Sequence, residues 1–215
     1  MAKLQPTTTL PATPDWEALR REFPTTENCI YLDIARKAIL PRRVEAAMQE
    51  WLNDIYKRAG ADAFSMECIE ATRKTLADVF GAPVKNIALI KNTSEGVNIV
   101  AQGYPLKTGD NVVISEFEHE NNTFPWRHLD AKAVEVRWAK PDDKGRVTVD
   151  CYRALIDART RIIGAAWVAY GNGYRADVPA IAEFCHAHGI KLVIDAIQAI
   201  GVLATPLAEL GADVI

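Results

Sequence analysis

RIIGAAWVAYGNGYRADVPAIAEFCHAHGIKLVID, residues 161–195, contains two short apolar runs with a helical pattern between them. The runs are 161–169 and 191–195, and the helical pattern covers 178–188. Short apolar runs are typical of strands that are buried on both faces, and a helix between two such strands makes them parallel. This segment therefore predicts one strand–helix–strand unit of a parallel sheet.

The same alternation extends towards the N-terminus. Three more apolar runs precede the unit: IALI at 87–90, VVIS at 112–115 and VEVRW at 134–138. Helical patterns lie between the runs, near 95–102, 122–130 and 149–157. We therefore expect an α/β fold with three layers, in which helices cover both faces of a mostly parallel sheet.

The first 60 residues follow a different pattern. We expect a loose arm over the first dozen residues, a short strand at Cys29–Leu32, and a helix that opens at Pro41. Trp51 and Ile55 lie on one face of that helix, which serves either as core or as an interface. A further helical pattern runs from about residue 62 to residue 80. These patterns predict an N-terminal arm with helices over residues 1–60 and a larger α/β domain over residues 61–215.

Composition excludes several classes of protein. The 25 basic and 28 acidic residues give a net charge of −3, which provides no electrostatic footprint for nucleic acid or for an anionic membrane surface. No apolar run approaches the length of about 18 residues that a membrane span needs, and the start of the chain lacks a secretory signal. We therefore expect a cytoplasmic protein whose four cysteines are reduced and mostly buried.

The last residues, GADVI at 211–215, resemble the start of another buried strand. A natural C-terminus rarely lies inside such a run. We therefore expect these 215 residues to be the N-terminal portion of a longer α/β protein.

Ligands of open α/β sheets bind beyond the carboxyl ends of the strands, so the residues after each apolar run are candidates for a site. Thr93 and Ser94 follow the first run at the expected start of a helix, where free N–H groups and the helix dipole favour an anion such as phosphate. An ordinary helix cap would explain the same two residues equally well. His119 follows the next run among carboxylates, either as an ordinary loop residue or as a ring-stacking or proton-transferring group.

Asp195 is the strongest single candidate. It ends the run KLVID, and a carboxylate at the end of a doubly covered strand needs a cationic or hydrogen-bonding partner. That partner is either a basic side chain or helix terminus of the fold, or the protonated ring nitrogen of a bound cofactor. Gln198 follows three residues later and can place an amide near the same point. Together with an anion site and an imidazole, these residues meet the needs of pyridoxal 5′-phosphate (PLP), whose ring must stay protonated to accept electrons.

Three motifs carry a resemblance to a known family: NTSEGVN at 92–98, FEHENNTFPW at 117–126 and VIDAIQAIG at 193–201. In these motifs the chain resembles the class V aminotransferase and cysteine desulfurase-like family of fold-type I PLP enzymes. The resemblance implies that Thr93 and Ser94 hold the cofactor phosphate, that His119 stacks on the ring and assists proton transfer, and that Asp195 pairs with the ring nitrogen. It also implies that Gln198 lies near the phenolic oxygen, that the N-terminal helices belong to the small domain and dimer contact, and that the protein is a homodimer.

The chain departs from the family at two points. Tyr170 stands where many desulfurases carry an Asn, and Asn172 is the nearest substitute for it. The lysine that the family bonds covalently to the cofactor follows the GAD motif, and the sequence ends before that position. The resemblance therefore implies a desulfurase, C–S lyase or aminotransferase for a small amino acid in the complete form, with no turnover by these 215 residues alone.

Two other classes of function are open to the sequence. One is a catalytically inactive relative that serves as a binding module on the same scaffold. The other is a nucleotide-binding domain, which is disfavoured because neither a GxGxxG segment after the first strand nor a GxxxxGK[ST] segment is present.

Overall fold

The computed structural model describes residues 13–116 and 118–215, so the predicted N-terminal arm lies outside the described residues. The helices in the described part are α1 (Trp16–Arg21), α2 (Thr25–Asn28), α3 (Arg42–Arg58), α4 (Met66–Phe80), α5 (Thr93–Gly103), α6 (Glu120–Arg127), α7 (Val149–Arg153) and α8 (Val178–Ala187). The strands are β1 (Asn111–Ser115), β2 (Glu135–Ala139), β3 (Thr160–Ala166) and β4 (Lys191–Asp195). Short 3₁₀ turns cover Val84–Asn86, His128–Lys132 and Leu207–Leu210. Across the described residues, no helix is both long enough and apolar enough to cross a bilayer.

The chain separates into two compact units, Met1–Ile69 and Glu70–Ile215. In the described part of the first unit, the long helix α3 ends at Ala59, whose φ of 55° is left-handed. The turn that follows is held by the Asp54 carboxylate, which accepts hydrogen bonds from the N–H groups of Asp62 at 3.1 Å and Ala63 at 2.8 Å. The predicted boundary between residues 60 and 61 stays a prediction.

Apolar side chains of α3 are largely exposed. Met48 is 53% exposed and Trp51 47%, and the only buried residue of the helix is Asp54. Of the two expectations for this helix face, core or interface, the exposure of Trp51 disfavours core. Large exposed apolar patches commonly mark interaction surfaces.

The second unit contains a four-stranded sheet in the order β2–β1–β3–β4, with every neighbouring pair parallel. The last residues of neighbouring strands are paired with each other: Ser115 of β1 with Ala139 of β2, and Ala166 of β3 with Asp195 of β4. The carboxyl ends of all four strands therefore lie on the same edge, as the sequence predicts for strand–helix–strand units.

Helices cover both faces of this sheet. On one face, Val97 and Ala101 of α5 and Trp126 of α6 pack with β1 and β3. On the other face, α7 and α8 form a second cluster with alternate residues of β1, β3 and β4. Every residue of β1 is buried, which explains why its sequence is a continuous apolar run rather than an alternating one. The predicted three-layer α/β fold is confirmed.

Two predicted strands are absent from the described residues, and one predicted strand is reduced to a single pair. Residues 87–90 and Cys29–Leu32 form no sheet pairing, and most of their side chains are exposed, including Ile30 at 84%. In GADVI, Val214 forms one isolated parallel bridge with Val193, beside β4. An apolar run therefore forms a strand here only where helices cover it.

The cysteines also differ from expectation. All four are free thiols, but Cys185 is the only buried one; Cys68 and Cys151 are partly exposed and Cys29 is exposed.

We expect Gly164→Ala to destabilise the second unit. A Cβ at Gly164 would lie 2.7 Å from Ile114 Cδ1, so the core must shift, at a cost of about 1–3 kcal/mol in the free energy of unfolding. Gly103→Ala is the matched control, because a Cβ there meets nothing within 4 Å. Urea unfolding followed by tryptophan fluorescence measures both variants, and equal unfolding free energies would contradict the packing described for Gly164.

Candidate functional site

The candidate site lies at the carboxyl edge of the sheet, where the chain leaves β1, β3 and β4. Trp167, the first residue after β3, donates its N–H to the carbonyl oxygen of Asp195 at 2.9 Å. The loop after β1 reaches the same place, since a carboxylate oxygen of Glu118 accepts a hydrogen bond from the N–H of Ala166 at 2.7 Å. Three loops that are distant in sequence therefore meet at this edge.

Asp195 is buried at the end of β4, with 8% of its surface exposed. Its Oδ1 accepts a hydrogen bond from the N–H of Ile197 at 3.0 Å. Burial raises the pKa of Asp195, and the Ile197 N–H and the nearby His119 oppose that rise. Among residues 13–116 and 118–215, no lysine or arginine forms an ion pair with this carboxylate, so the predicted basic side-chain partner is not found there.

His119 is the N-cap of α6 and lies close enough to Asp195 for its charge to lower the pKa of that carboxyl group. Its Nδ1 accepts a hydrogen bond from the N–H of Asn121 at 3.2 Å, so Nε2 carries the proton of the neutral ring. The ring of Tyr170 meets the imidazole edge to face, with 4.9 Å between ring centroids and an angle of 88° between the planes. The structure therefore brings His119, Tyr170 and Asp195 into one cluster.

Glu118 belongs to this cluster and is a residue that the sequence analysis missed. Its second carboxylate oxygen accepts a hydrogen bond from Asn122 Nδ2 at 3.1 Å. Burial, together with repulsion from Asp195, raises the pKa of Glu118 to about 7, although its hydrogen bonds favour the charged form. A carboxyl group whose pKa is raised by burial and by a neighbouring charge is typical of functional sites.

Thr93 and Ser94 open α5, but neither residue is the helix cap. Asn92 is the cap, and its Oδ1 accepts a hydrogen bond from the N–H of Glu95 at 2.9 Å. Both residues are partly buried, and neither hydroxyl forms a hydrogen bond with another described residue. The ordinary explanation of this pair as a helix cap is therefore wrong, and their role in binding a phosphate stays a prediction.

The remaining candidates are Gln198 and the loop after β3. Gln198 is partly buried in the turn that follows Asp195, where Ala199 donates its N–H to Ala196 at 2.8 Å. The side chain of Asn172 joins two loops, because it donates to the carbonyl of Gly145, in the segment between β2 and α7, at 2.7 Å and accepts from the Tyr174 N–H at 2.9 Å. These contacts disfavour Asn172 as a substitute for the family's Asn, and its role, like that of Gln198, stays a prediction.

These residues fit PLP. A buried carboxylate with no lysine or arginine partner suits a protonated ring nitrogen, and two unbonded hydroxyls at a helix N-terminus suit a phosphate. Within the described ranges, no cluster of three or more histidine, cysteine or acidic side chains could hold a metal ion.

Comparisons with known proteins identify the family of the chain. The aminotransferase class-V family model matches residues 30–215. A probable cysteine desulfurase of Methanothermobacter thermautotrophicus is 33% identical over 203 residues, which cover 92% of this chain and 50% of the relative. The chain thus spans about half the length of the curated relatives that it matches.

Solved structures show the same fold. The cysteine desulfurase CsdA from Escherichia coli superposes with a TM-score of 0.79 at 26% identity, over 91% of this chain and 52% of CsdA. A mutant of C-DES with glycine covalently linked to its PLP cofactor superposes with a TM-score of 0.81 at 19% identity, over 94% of this chain and 54% of that protein. The second likeness concerns the fold alone.

We expect the stability of the chain to fall as the pH rises from 4.5 to about 7, because folded Glu118 keeps a proton that the unfolded chain releases in this range. The loss amounts to about 3 kcal/mol in the free energy of unfolding and is complete above the pKa of the folded state. Glu118→Gln should lose this contribution and decline less than the wild type, with the smaller contribution of Asp195 remaining.

The control is Glu116→Gln, which removes an exposed acid from the same loop and should keep the decline. Urea unfolding between pH 4.5 and pH 8 measures all three proteins. An equal pH dependence in wild type and Glu118→Gln would show that Glu118 ionises normally.

Proposed function

The chain belongs to the aminotransferase class-V family, and we propose that it forms the cofactor-binding part of a PLP-dependent enzyme that acts on a small amino acid. The observation that carries this proposal is the buried carboxylate of Asp195, which has no lysine or arginine partner among the described residues and lies beside His119. A cationic ring is the ligand that such a group needs.

Each site residue has a role in this proposal. Asp195 would hold the ring N–H and keep the ring protonated, and His119 would lie against the ring face. Thr93 and Ser94 would bind the phosphate at the positive end of α5. Gln198 would donate to the phenolic oxygen. When bound, PLP supplies an electron sink for the carbon next to the substrate amine.

We propose cysteine as the amino acid and desulfuration as the reaction, in preference to C–S lyase or aminotransferase activity. The names of the relatives support this choice, since proteins named probable cysteine desulfurase and cysteine desulfurase match over more than nine tenths of the chain. In the family resemblance, the covalent lysine and the nucleophilic cysteine follow position 215. Turnover therefore depends on sequence beyond that position.

Homodimerisation and a cytoplasmic location complete the proposal. The exposed apolar side chains of α3, among them Trp51 and Met48, support a face that another chain covers. The free thiols of all four cysteines support a reducing compartment.

We expect Asp195→Asn to weaken cofactor binding about 10–100-fold, because a charge-assisted hydrogen bond contributes about 1.5–3 kcal/mol. Pyridoxamine 5′-phosphate is the probe, since it carries the same ring and phosphate but has no aldehyde that would react with surface lysines. Its Kd is measured by quenching of tryptophan fluorescence.

Asp143→Asn serves as the control, because Asp143 is exposed and distant in sequence from every site residue. Binding that is equal in wild type, Asp195→Asn and Asp143→Asn would contradict the role of Asp195. An intact fold in each variant is checked by circular dichroism.

We expect a longer protein, extended past Ile215 to include the covalent lysine, to convert cysteine to alanine with PLP and to release the sulfur as sulfide when dithiothreitol is present as the two-electron reductant, and residues 1–215 to release none. Borohydride trapping followed by mass spectrometry locates the bonded lysine. Failure of the extended protein to bind PLP would favour the alternative of a catalytically inactive binding module. Release of sulfide together with pyruvate would instead identify a lyase.

A further inference from the structure

Glu118 forms contacts that the proposed function does not use. We propose that Glu118 is a positioning residue, whose carboxyl group ties the loop that carries His119 to the β3 backbone beside Asp195. The inference rests on the proposed function only for the identity of the ligand; the contacts themselves are within the described structure.

The first contact lies just beyond the end of the pairing between β1 and β3. The last residue pair between β1 and β3 is Ile114 and Gly164, two positions before Ala166. The β1–β3 pairing ends at that point, and no residue of β1 is paired with Ala166. Glu118 supplies the acceptor at 2.7 Å, and Ala166 is the residue paired with Asp195 in β4.

The second contact anchors the helix that begins at His119. Asn122 is 1% exposed, donates to Glu118 at 3.1 Å and accepts from Trp126 Nε1 at 3.4 Å. The N–H of Asn122 also donates to the carbonyl oxygen of His119 at 2.8 Å. Glu118 thus connects the β3 backbone to the first turn of α6. His119 lies on the chain between Glu118 and Asn122, the two residues that form this connection.

The charges around Glu118 make this link sensitive to its ionisation. Two ionisable groups interact with Glu118 directly: Asp195 at the end of β4 and the buried phenol of Tyr152 on α7. His119, on the same loop as Glu118, interacts in turn with Asp195. Tyr152 is fully buried and its hydroxyl has no hydrogen-bond partner among the described residues. Ionised Glu118 therefore adds negative potential where the proposed ring cation binds, and protonated Glu118 does not.

Nuclear magnetic resonance on the wild-type chain tests the link without any cofactor. The amide proton of Ala166 should shift through a single transition near pH 7 as its acceptor ionises. In Glu118→Gln this transition should be lost and the ring signals of His119 should move, because the edge-to-face contact with Tyr170 changes. Glu116→Gln is the control and should change neither signal.

Ligand binding provides a second readout that a purely structural role would not move. The Kd of pyridoxamine 5′-phosphate is measured from pH 6 to pH 8 in Glu118→Gln and Glu116→Gln, so that titration of the ligand itself cancels in the ratio. We expect the Kd of Glu118→Gln divided by the Kd of Glu116→Gln to rise about threefold or more with pH. Only the control variant keeps Glu118, whose ionisation adds a second carboxylate charge near the ligand.

The outcomes separate the two proposals. An Ala166 amide that stays constant through neutral pH in the wild type overturns the role of Glu118, even if Glu118→Gln does not fold. A pH-independent ratio of dissociation constants also overturns it. Failure of the wild type to bind pyridoxamine 5′-phosphate counts against the proposed function, and the Ala166 and His119 signals then decide the role of Glu118 alone.

Discussion

A carboxylate at the end of a strand covered on both faces governs the organisation of this chain. The apolar clusters on either side of the sheet keep water from Asp195, and one backbone N–H from Ile197 compensates only part of its charge. Two neighbouring groups act on the charge of Asp195. His119 favours the ionised form of Asp195, and an ionised Glu118 disfavours it by repulsion. A ligand with a positively charged ring would pair with this buried carboxylate and so offset the desolvation cost that the fold imposes on it.

The sheet could be predicted from sequence because burial on both faces demands uninterrupted apolar runs, and β1, β3 and β4 meet that demand. The same rule fails at residues 87–90 and at Cys29–Leu32, where the runs are apolar but no described element covers them. A run of four apolar residues indicates that a segment is favourably buried, but it does not indicate which part of the protein covers that segment. That information lies in long-range packing, which a single sequence does not display.

The site was predictable to the extent that chain position determines it. Asp195 ends the buried strand β4 and His119 lies in the loop after the buried strand β1, and the structure places them close enough for their charges to interact. Glu118 could not be singled out, because Glu116, Glu118 and Glu120 alternate in one polar loop and look alike in sequence. Only the end of the β1–β3 pairing, which exposes the N–H of Ala166, distinguishes the middle one.

The first turn of α5 is fixed without its hydroxyl residues. Asn92 caps the N–H of Glu95, and the Glu95 carboxylate in turn accepts from the N–H of Lys91 at 2.7 Å. The terminus is thus ordered by the chain itself, so the phosphate proposed to bind there would meet no entropic penalty for organising the backbone. Because Asn92 and Glu95 order this turn, substitutions at Thr93 and Ser94 can alter the exposed end of α5 without removing the contacts that fold it.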